Sequence, residues 1–225
     1  MALRGEILRE LRLTPSWRTR RGPETADARS QRIATLDHEA LVADIAACTA
    51  CGLCKTRRRT VPGVGDLRAQ WLFVGEAPGA DEDAQGEPFV GQAGRLLDNM
   101  LAALGLARDR DVYIANVLKC RPPSNRTPAP LEIVVCQPYL DRQIALIAPR
   151  LIVALGKSAA VTLLGADLPV ASLRHRVHQY RGIPLVVTYH PAYLLRNPPD
   201  KAKVWDDLLF ARRTLRDSLA AISPS

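Results

Sequence analysis

Cys48 and Cys51 form a close pair, Cys120 follows sixty-nine residues after Cys51, and Cys136 lies sixteen beyond that. Two pairs so far apart in one short chain meet only if the fold brings them together. Four thiolates at one place bind zinc or an iron–sulfur cluster, because thiolate is the ligand that matches such soft centres. Cys54 extends the first pair into C-x2-C-x2-C, the opening of a bacterial ferredoxin-type run, but Arg58 stands where that run needs its fourth cysteine. Cys120 and Cys136 must then complete any four-thiolate site, and one of the first three cysteines is spare. Spacing alone leaves Cys48/Cys51 and Cys51/Cys54 both open, and zinc as well as iron–sulfur.

Other chemistry-bearing residues fall between and after the cysteines. Gly75-Glu76-Ala77-Pro78-Gly79 reads as a turn between strand and helix. Its interest comes from its company: Glu82, Asp83, Pro88-Phe89-Val90-Gly91, Asn116 and His190. His190-Pro191 directly follows an apolar run, so the proline ends the strand and leaves the imidazole at its tip. His175 and His178 lie in a basic polar segment and read as solvated. Gly156-Lys157-Ser158 invites a phosphate-loop reading, but that motif needs a glycine five residues before Gly156, and Leu151 is there. Gly156 is better read as a tight strand-to-helix turn, with Ser158 near the helix start.

The elements that must position these residues alternate. Trp71–Val74, Val112–Ala115, Leu151–Leu155 and Pro184–Tyr189 are short apolar runs of the kind that form buried strands. Helical patterns lie at Asp37–Ala47, Leu131–Ile147, Ser158–Leu164 and Val204–Leu219, and Leu96, Leu97, Met100, Leu101 and Leu104 share one helical face. Strands alternating with helices imply an α/β fold, a three-layer α/β/α sandwich around a central, mainly parallel four-stranded sheet. Ligands in such sheets bind beyond the carboxyl ends of the strands, where the Gly75 loop, Asn116 and His190 should converge.

Length and composition bound the rest. The chain has 225 residues, 47% of them hydrophobic, which suits one core with some chain to spare. Residues 1–38 read as a basic, poorly ordered N-terminal extension with one short apolar pattern, Ile7-Leu8-Leu11-Leu13. Residues 39–220 form the folded domain. No run of about eighteen apolar residues occurs, so no membrane-spanning helix is expected. Met1–Glu10 lacks an apolar signal core, which points to the cytoplasm, where cysteines serve as metal ligands rather than disulfides. A net charge of +8 and a pI near 9.6 favour an acidic partner such as nucleic acid.

With these residues assembled, the chain resembles the family 4 uracil-DNA glycosylases, the iron–sulfur branch of the uracil-DNA glycosylase superfamily. The likeness runs from about Cys48 to about Arg213. Its markers are Cys-Thr-Ala-Cys at 48–51, the Gly75–Gly79 loop, Pro-Phe-Val-Gly at 88–91, Asn-Val-Leu-Lys-Cys-Arg-Pro-Pro at 116–123 and His-Pro-Ala-Tyr-Leu-Leu-Arg-Asn-Pro at 190–198. The resemblance implies a base-excision repair enzyme whose [4Fe-4S] cluster is held by Cys48, Cys51, Cys120 and Cys136, with Cys54 as the extra thiol. It implies a monomer acting on uracil-containing DNA, single- or double-stranded, with no membrane partner. A sister branch that crosslinks to uracil carries a histidine-bearing insertion near 120–127; no histidine stands there, so ordinary turnover is expected.

The resemblance also assigns roles. Phe89 stacks on the flipped base, Asn116 reads its edge, Glu82 stands near C5 to exclude the thymine methyl, and His190 stabilises the departing anion beside O2. The loop containing Glu76 and Ala77 lines the uracil site. Ala77 occupies the place of a water-positioning aspartate in the best-known branch, which leaves Glu76 to orient water. Leu194, Leu195 and Arg196 resemble the wedge that fills the vacated stack. Lys55, Arg57, Arg58, Arg59, Lys119, Arg121 and Arg126 are the expected phosphate contacts.

Overall fold

The computed structural model describes residues 25–220. Six strands form one sheet: β1 (Val64–Gly65), β2 (Trp71–Gly75), β3 (Val112–Asn116), β4 (Leu151–Leu155), β5 (His178–Tyr180) and β6 (Ile183–Thr188), in the order β1-β3-β2-β4-β6-β5. The four central strands, β3, β2, β4 and β6, run parallel. The short edge strands β1 and β5 pair antiparallel and are additions to the expected four. They are too brief to carry a hydrophobic period.

All residues of β2, β3 and β4 are buried, as a parallel sheet covered on both faces requires. Pleating sends alternate side chains to opposite layers. Leu72, Val74, Tyr113 and Ala115 pack against α5 (Pro130–Ile147) and α6 (Lys157–Leu164) through Leu140, Ile144, Ala160 and Leu163. Trp71, Phe73, Val112 and Ile114 pack instead against α4 (Gln92–Ala103) and α9 (Lys201–Ala220), whose Leu97, Leu101, Val204 and Leu208 are buried. The result is the expected three-layer arrangement. The shorter helices are α3 (Ala80–Gln85), α7 (Val170–Leu173) and α8 (Pro191–Arg196). Among the described residues, no helix is long and apolar enough to cross a membrane.

Before the sheet, α1 (Ala26–Thr35) and α2 (His38–Ala47) lie against α5. Thr25 and Asp37 cap them, accepting from the backbone N–H of Ala28 and Ala40. Ile33, Leu41 and Ile45 are fully buried with Tyr139. Each such side chain contributes about 1.5–3 kcal/mol relative to exposure, which fastens both helices. The expectation of a poorly ordered extension as far as residue 38 is therefore corrected: Ala26–Thr35 is a packed helix. Its single buried apolar residue, Ile33, was too weak a signal. The Ile7-Leu8-Leu11-Leu13 pattern lies outside the described residues.

Candidate active site and cysteine cluster

The carboxyl ends of the parallel strands lie level. Gly75 of β2 pairs with Asn116 of β3, and Leu155 of β4 with Thr188 of β6. The segments that leave these ends enclose a cavity of about 430 Å3. Glu76, Ala77, Glu82, Phe89, Asn116 and His190 all line it, so the residues expected to form one site do come together.

Asn116 is 2% exposed, and its amide oxygen has no hydrogen-bond partner. A buried acceptor left unmet costs about 1–3 kcal/mol, so a ligand donor is the natural complement. Gly75 permits this packing. A β-carbon there would stand 2.4 Å from Asn116 Oδ1 and 2.6 Å from the Phe89 ring. Phe89 is buried and lies beside His190, with ring centroids 5.4 Å apart and planes at 28°.

Glu82 ties the loops together. One carboxylate oxygen accepts from Gly79 N–H at 3.0 Å, and the other from Val90 and Gly91 N–H at 2.9 and 3.1 Å. Its carboxylate thus joins the start of α3 to the segment carrying Phe89. Glu76 accepts from Ser158 Oγ at 2.6 Å. Ser158, expected only as a residue near a helix start, is therefore a support for the Glu76 carboxylate. Gly156 turns with φ 88°, and a β-carbon there would meet His190 Cβ at 3.0 Å, so glycine lets the histidine close over the turn.

The state of His190 follows from its local bonding. Pro191 begins α8 without an N–H, and the next amide, Ala192 N–H, donates to His190 Nδ1 at 3.1 Å. An accepting Nδ1 carries no proton, so in the neutral ring the proton sits on Nε2. Burial pushes this imidazole down to about 4, reinforced by Arg196 and opposed by Glu82. His190 is thus a neutral donor at neutral pH.

Cys48, Cys51, Cys54, Cys120 and Cys136 line a second cavity together with Arg29, Arg57 and Lys119. None is in a disulfide. The fold does bring the distant pairs together. Among the described residues, no three His, Cys, Asp or Glu side chains close on a point as ligands of one metal ion do. The thiols ring the cavity instead. Arg57 Nη1 lies 3.1 Å from Cys120 Sγ, and Arg29 Nη2 lies 3.7 Å from Cys48 Sγ. Burial pushes the Cys136 thiol up to about 12. Cys54, which spacing left open as a ligand and the family resemblance set aside as the extra thiol, shares this cavity.

Two expected DNA contacts, Leu194 and Lys119, are corrected, and Arg57 is half-buried. Leu194 is fully buried in the apolar layer beneath α8, because its turn of that helix faces the core. Lys119 is 1% exposed; its ammonium donates to the Asn116 carbonyl at 2.7 Å and to Gln143 Oε1 at 2.6 Å. Arg57 serves Cys120 and the Ala46 carbonyl. By contrast Leu195 and Arg196 are exposed, as are Lys55, Arg58 and Arg59. Arg121 is half-buried and bonds Asn125. Arg126 lines the active-site cavity while paired with Glu132. Tyr193, Pro122 and Asn125 also line it, and their neighbourhood to His190 and Asn116 was the only signal for them.

The comparisons with known proteins agree with this geometry. A family model of the uracil DNA glycosylase superfamily matches residues 62–209. The chain is 47% identical over 166 residues to a type-4 uracil-DNA glycosylase of Archaeoglobus fulgidus, covering 70% of this chain and 83% of that one. It is 40% identical over 190 residues to the type-4 enzyme of Saccharolobus solfataricus, covering 80% and 88%. A type-5 enzyme of Pyrobaculum aerophilum matches at 36% over 154 residues, covering 60% and 67%. The family match over residues 62–209 and the identity to these type-4 enzymes over most of the chain place this chain in the uracil-DNA glycosylase superfamily, among its type-4 members.

Proposed function

We propose that this chain removes uracil from DNA by flipping the nucleotide into the cavity and hydrolysing its N-glycosidic bond, leaving an abasic site. The observation that carries the reading is the buried, unpartnered Asn116 oxygen, set beside Phe89 and His190. Uracil N3–H is the donor that such an oxygen lacks, and the Asn116 amide NH2 would meet O4. Cytosine presents a bare N3 and an amino group at those places, so both bonds are lost, at roughly 1–3 kcal/mol each. Phe89 stacks on the ring, and Glu82 stands by C5 where a thymine methyl would enter.

As the bond breaks, its electron pair passes to uracil N1, and charge spreads to O2. His190 Nε2–H donates to that oxygen as charge develops, without being an imidazolium. Glu76, braced by Ser158, orients the water whose oxygen bonds to C1′, and its carboxylate accepts the proton that the water sheds. Leu195 and Arg196 enter or flank the vacated stack, and Arg58, Arg121 and Arg126 neutralise phosphates. Cys48, Cys51, Cys120 and Cys136 would hold a [4Fe-4S] cluster, for which four thiols around one cavity are the fitting ligands. Held by these four thiols, it would join the segments around 48–58 and 116–136.

The test is incubation with a uracil-containing oligonucleotide followed by alkaline cleavage. Strand scission at uracil, and none at cytosine or thymine in the same position, is expected. Intact uracil-containing strands after exposure to folded protein would refute the reading.

A further inference from the structure

Phe89 has φ 55°, a left-handed backbone that residues with a β-carbon rarely adopt. Such a conformation persists where its surroundings over-determine it. Here a cation and an anion hold the peptide groups on either side. Arg108 Nη1 donates to the Pro88 carbonyl at 2.8 Å, and Nη2 donates to the Phe89 carbonyl. Glu82 accepts from the next two amides, Val90 and Gly91.

The clamp is itself secured. Arg108 Nε donates to Asp98 Oδ1 on α4 at 2.5 Å, which fixes the plane of the guanidinium fork. Beneath the turn, Gly94 leaves room for the Phe89 carbonyl, which a β-carbon there would approach to 1.7 Å. Arg108 is not among the residues lining the active-site cavity. Its bonds go to the backbone that aims the Phe89 ring.

We propose that Arg108 is a positioning residue for uracil release: by gathering the Pro88 and Phe89 carbonyls it holds the Phe89 ring at the angle from which it stacks on the flipped base. This rests on the assignment of Phe89 as the stacking residue. An ion pair with the half-exposed Asp98 contributes little by itself, so the carbonyl bonds are what the arginine is for. A misplacement of a positioning group by about 1 Å can cost roughly a hundredfold in rate.

The experiment compares full-length, cluster-loaded wild type with Phe89→Ala, Arg108→Ala, Arg108→Lys and the double variant Phe89→Ala/Arg108→Ala. Three quantities are measured well below each melting temperature: single-turnover excision, inhibition by free uracil, and affinity for abasic-site DNA. Phe89→Ala and Arg108→Ala should each slow excision by about ten- to a hundredfold and weaken uracil inhibition by about tenfold. Abasic-site affinity should hold. Arg108→Lys should lie between, since an ammonium lacks the fork that spans two carbonyls. The double variant should be no worse than Phe89→Ala, because Arg108 acts through that ring.

An unchanged uracil inhibition constant in Arg108→Ala would overturn the inference and leave the stacking role of Phe89 standing. Full additivity in the double variant would do the same. If Phe89→Ala alters neither excision nor inhibition, the stacking role fails and takes the inference with it. Should Arg108→Ala not fold, Arg108→Lys alone and combined with Phe89→Ala decides by the same criteria.

Discussion

Between pH 5 and 8, single-turnover uracil release should show no step that belongs to His190. The imidazole lies at about 4 rather than the ordinary 6.5, pushed down first by burial and then by Arg196. At 1.36 kcal/mol per tenfold, this is about 3 kcal/mol against the charged ring. About 0.3% of molecules would carry imidazolium at pH 6.5, and about 10% at pH 5. The Ala192 N–H on Nδ1 agrees, because a proton on that nitrogen would displace the amide. The assay is single-turnover excision at constant ionic strength, since phosphate contacts make binding salt-dependent. His190→Ala serves as the reference and should lose roughly 10²–10³-fold in rate, the usual cost of removing one donor to a developing anion. Its affinity for abasic-site DNA should hold. A fall in rate centred near pH 6.5 in wild type, absent from His190→Ala, would refute the neutral-donor reasoning. The same shift bears on stability. The unfolded chain takes up this proton near 6.5 and the folded chain only near 4. His190 therefore contributes stability that is whole above pH 6.5 and lost as pH falls towards 4, up to about 3 kcal/mol in denaturant titrations.

Asn116→Asp should lose most uracil excision, because an ionised carboxylate cannot donate to O4, and should gain little on cytosine; wild-type rates would show that Asn116 does not read the base. Protein purified anaerobically should carry about four irons and four acid-labile sulfides per chain. Alanine at Cys48, Cys51, Cys120 or Cys136 should bleach it, whereas Cys54→Ala should keep its iron, and the reverse pattern would reassign the ligands. Leu194→Ala should cost about 2–5 kcal/mol in denaturant unfolding, since that side chain is fully buried. Leu195→Ala should change stability by less than about 0.5 kcal/mol and slow excision from duplex more than from single strands. If Leu194→Ala instead is stable and slow on duplex, Leu194 is the wedge after all.

Much of this protein could be read from its residues in order. The four parallel strands were legible because each is a short, mostly apolar run closed by Gly, Asn or the His190-Pro191 step, and a strand covered on both faces needs that pattern. Their carboxyl ends then had to carry the Gly75 loop, Asn116 and His190, as parallel topology puts successive strand ends on one edge. The uneven spacing of Cys48, Cys51, Cys120 and Cys136 required long-range closure, and the fold supplies it. Strands β1 and β5 were not legible, because two or three residues carry no period.

What only the tertiary structure decided is the direction in which individual side chains point. Leu194 and Leu195 are neighbours of equal hydrophobicity, yet a step of about 100° around α8 buries the first and exposes the second. Lys119 and Arg57 look like phosphate contacts among other basic residues. Lys119 is drawn inward by the Asn116 carbonyl and by Gln143, and Arg57 by the sulfur of Cys120. The left-handed Phe89 depends on Arg108 and Glu82, which lie on either side of it in sequence and meet only after folding. Local pattern reports how often apolar residues recur and where chains turn. It does not report which distant carbonyl or thiol a long polar side chain will find, since that partner exists only once the layers have packed.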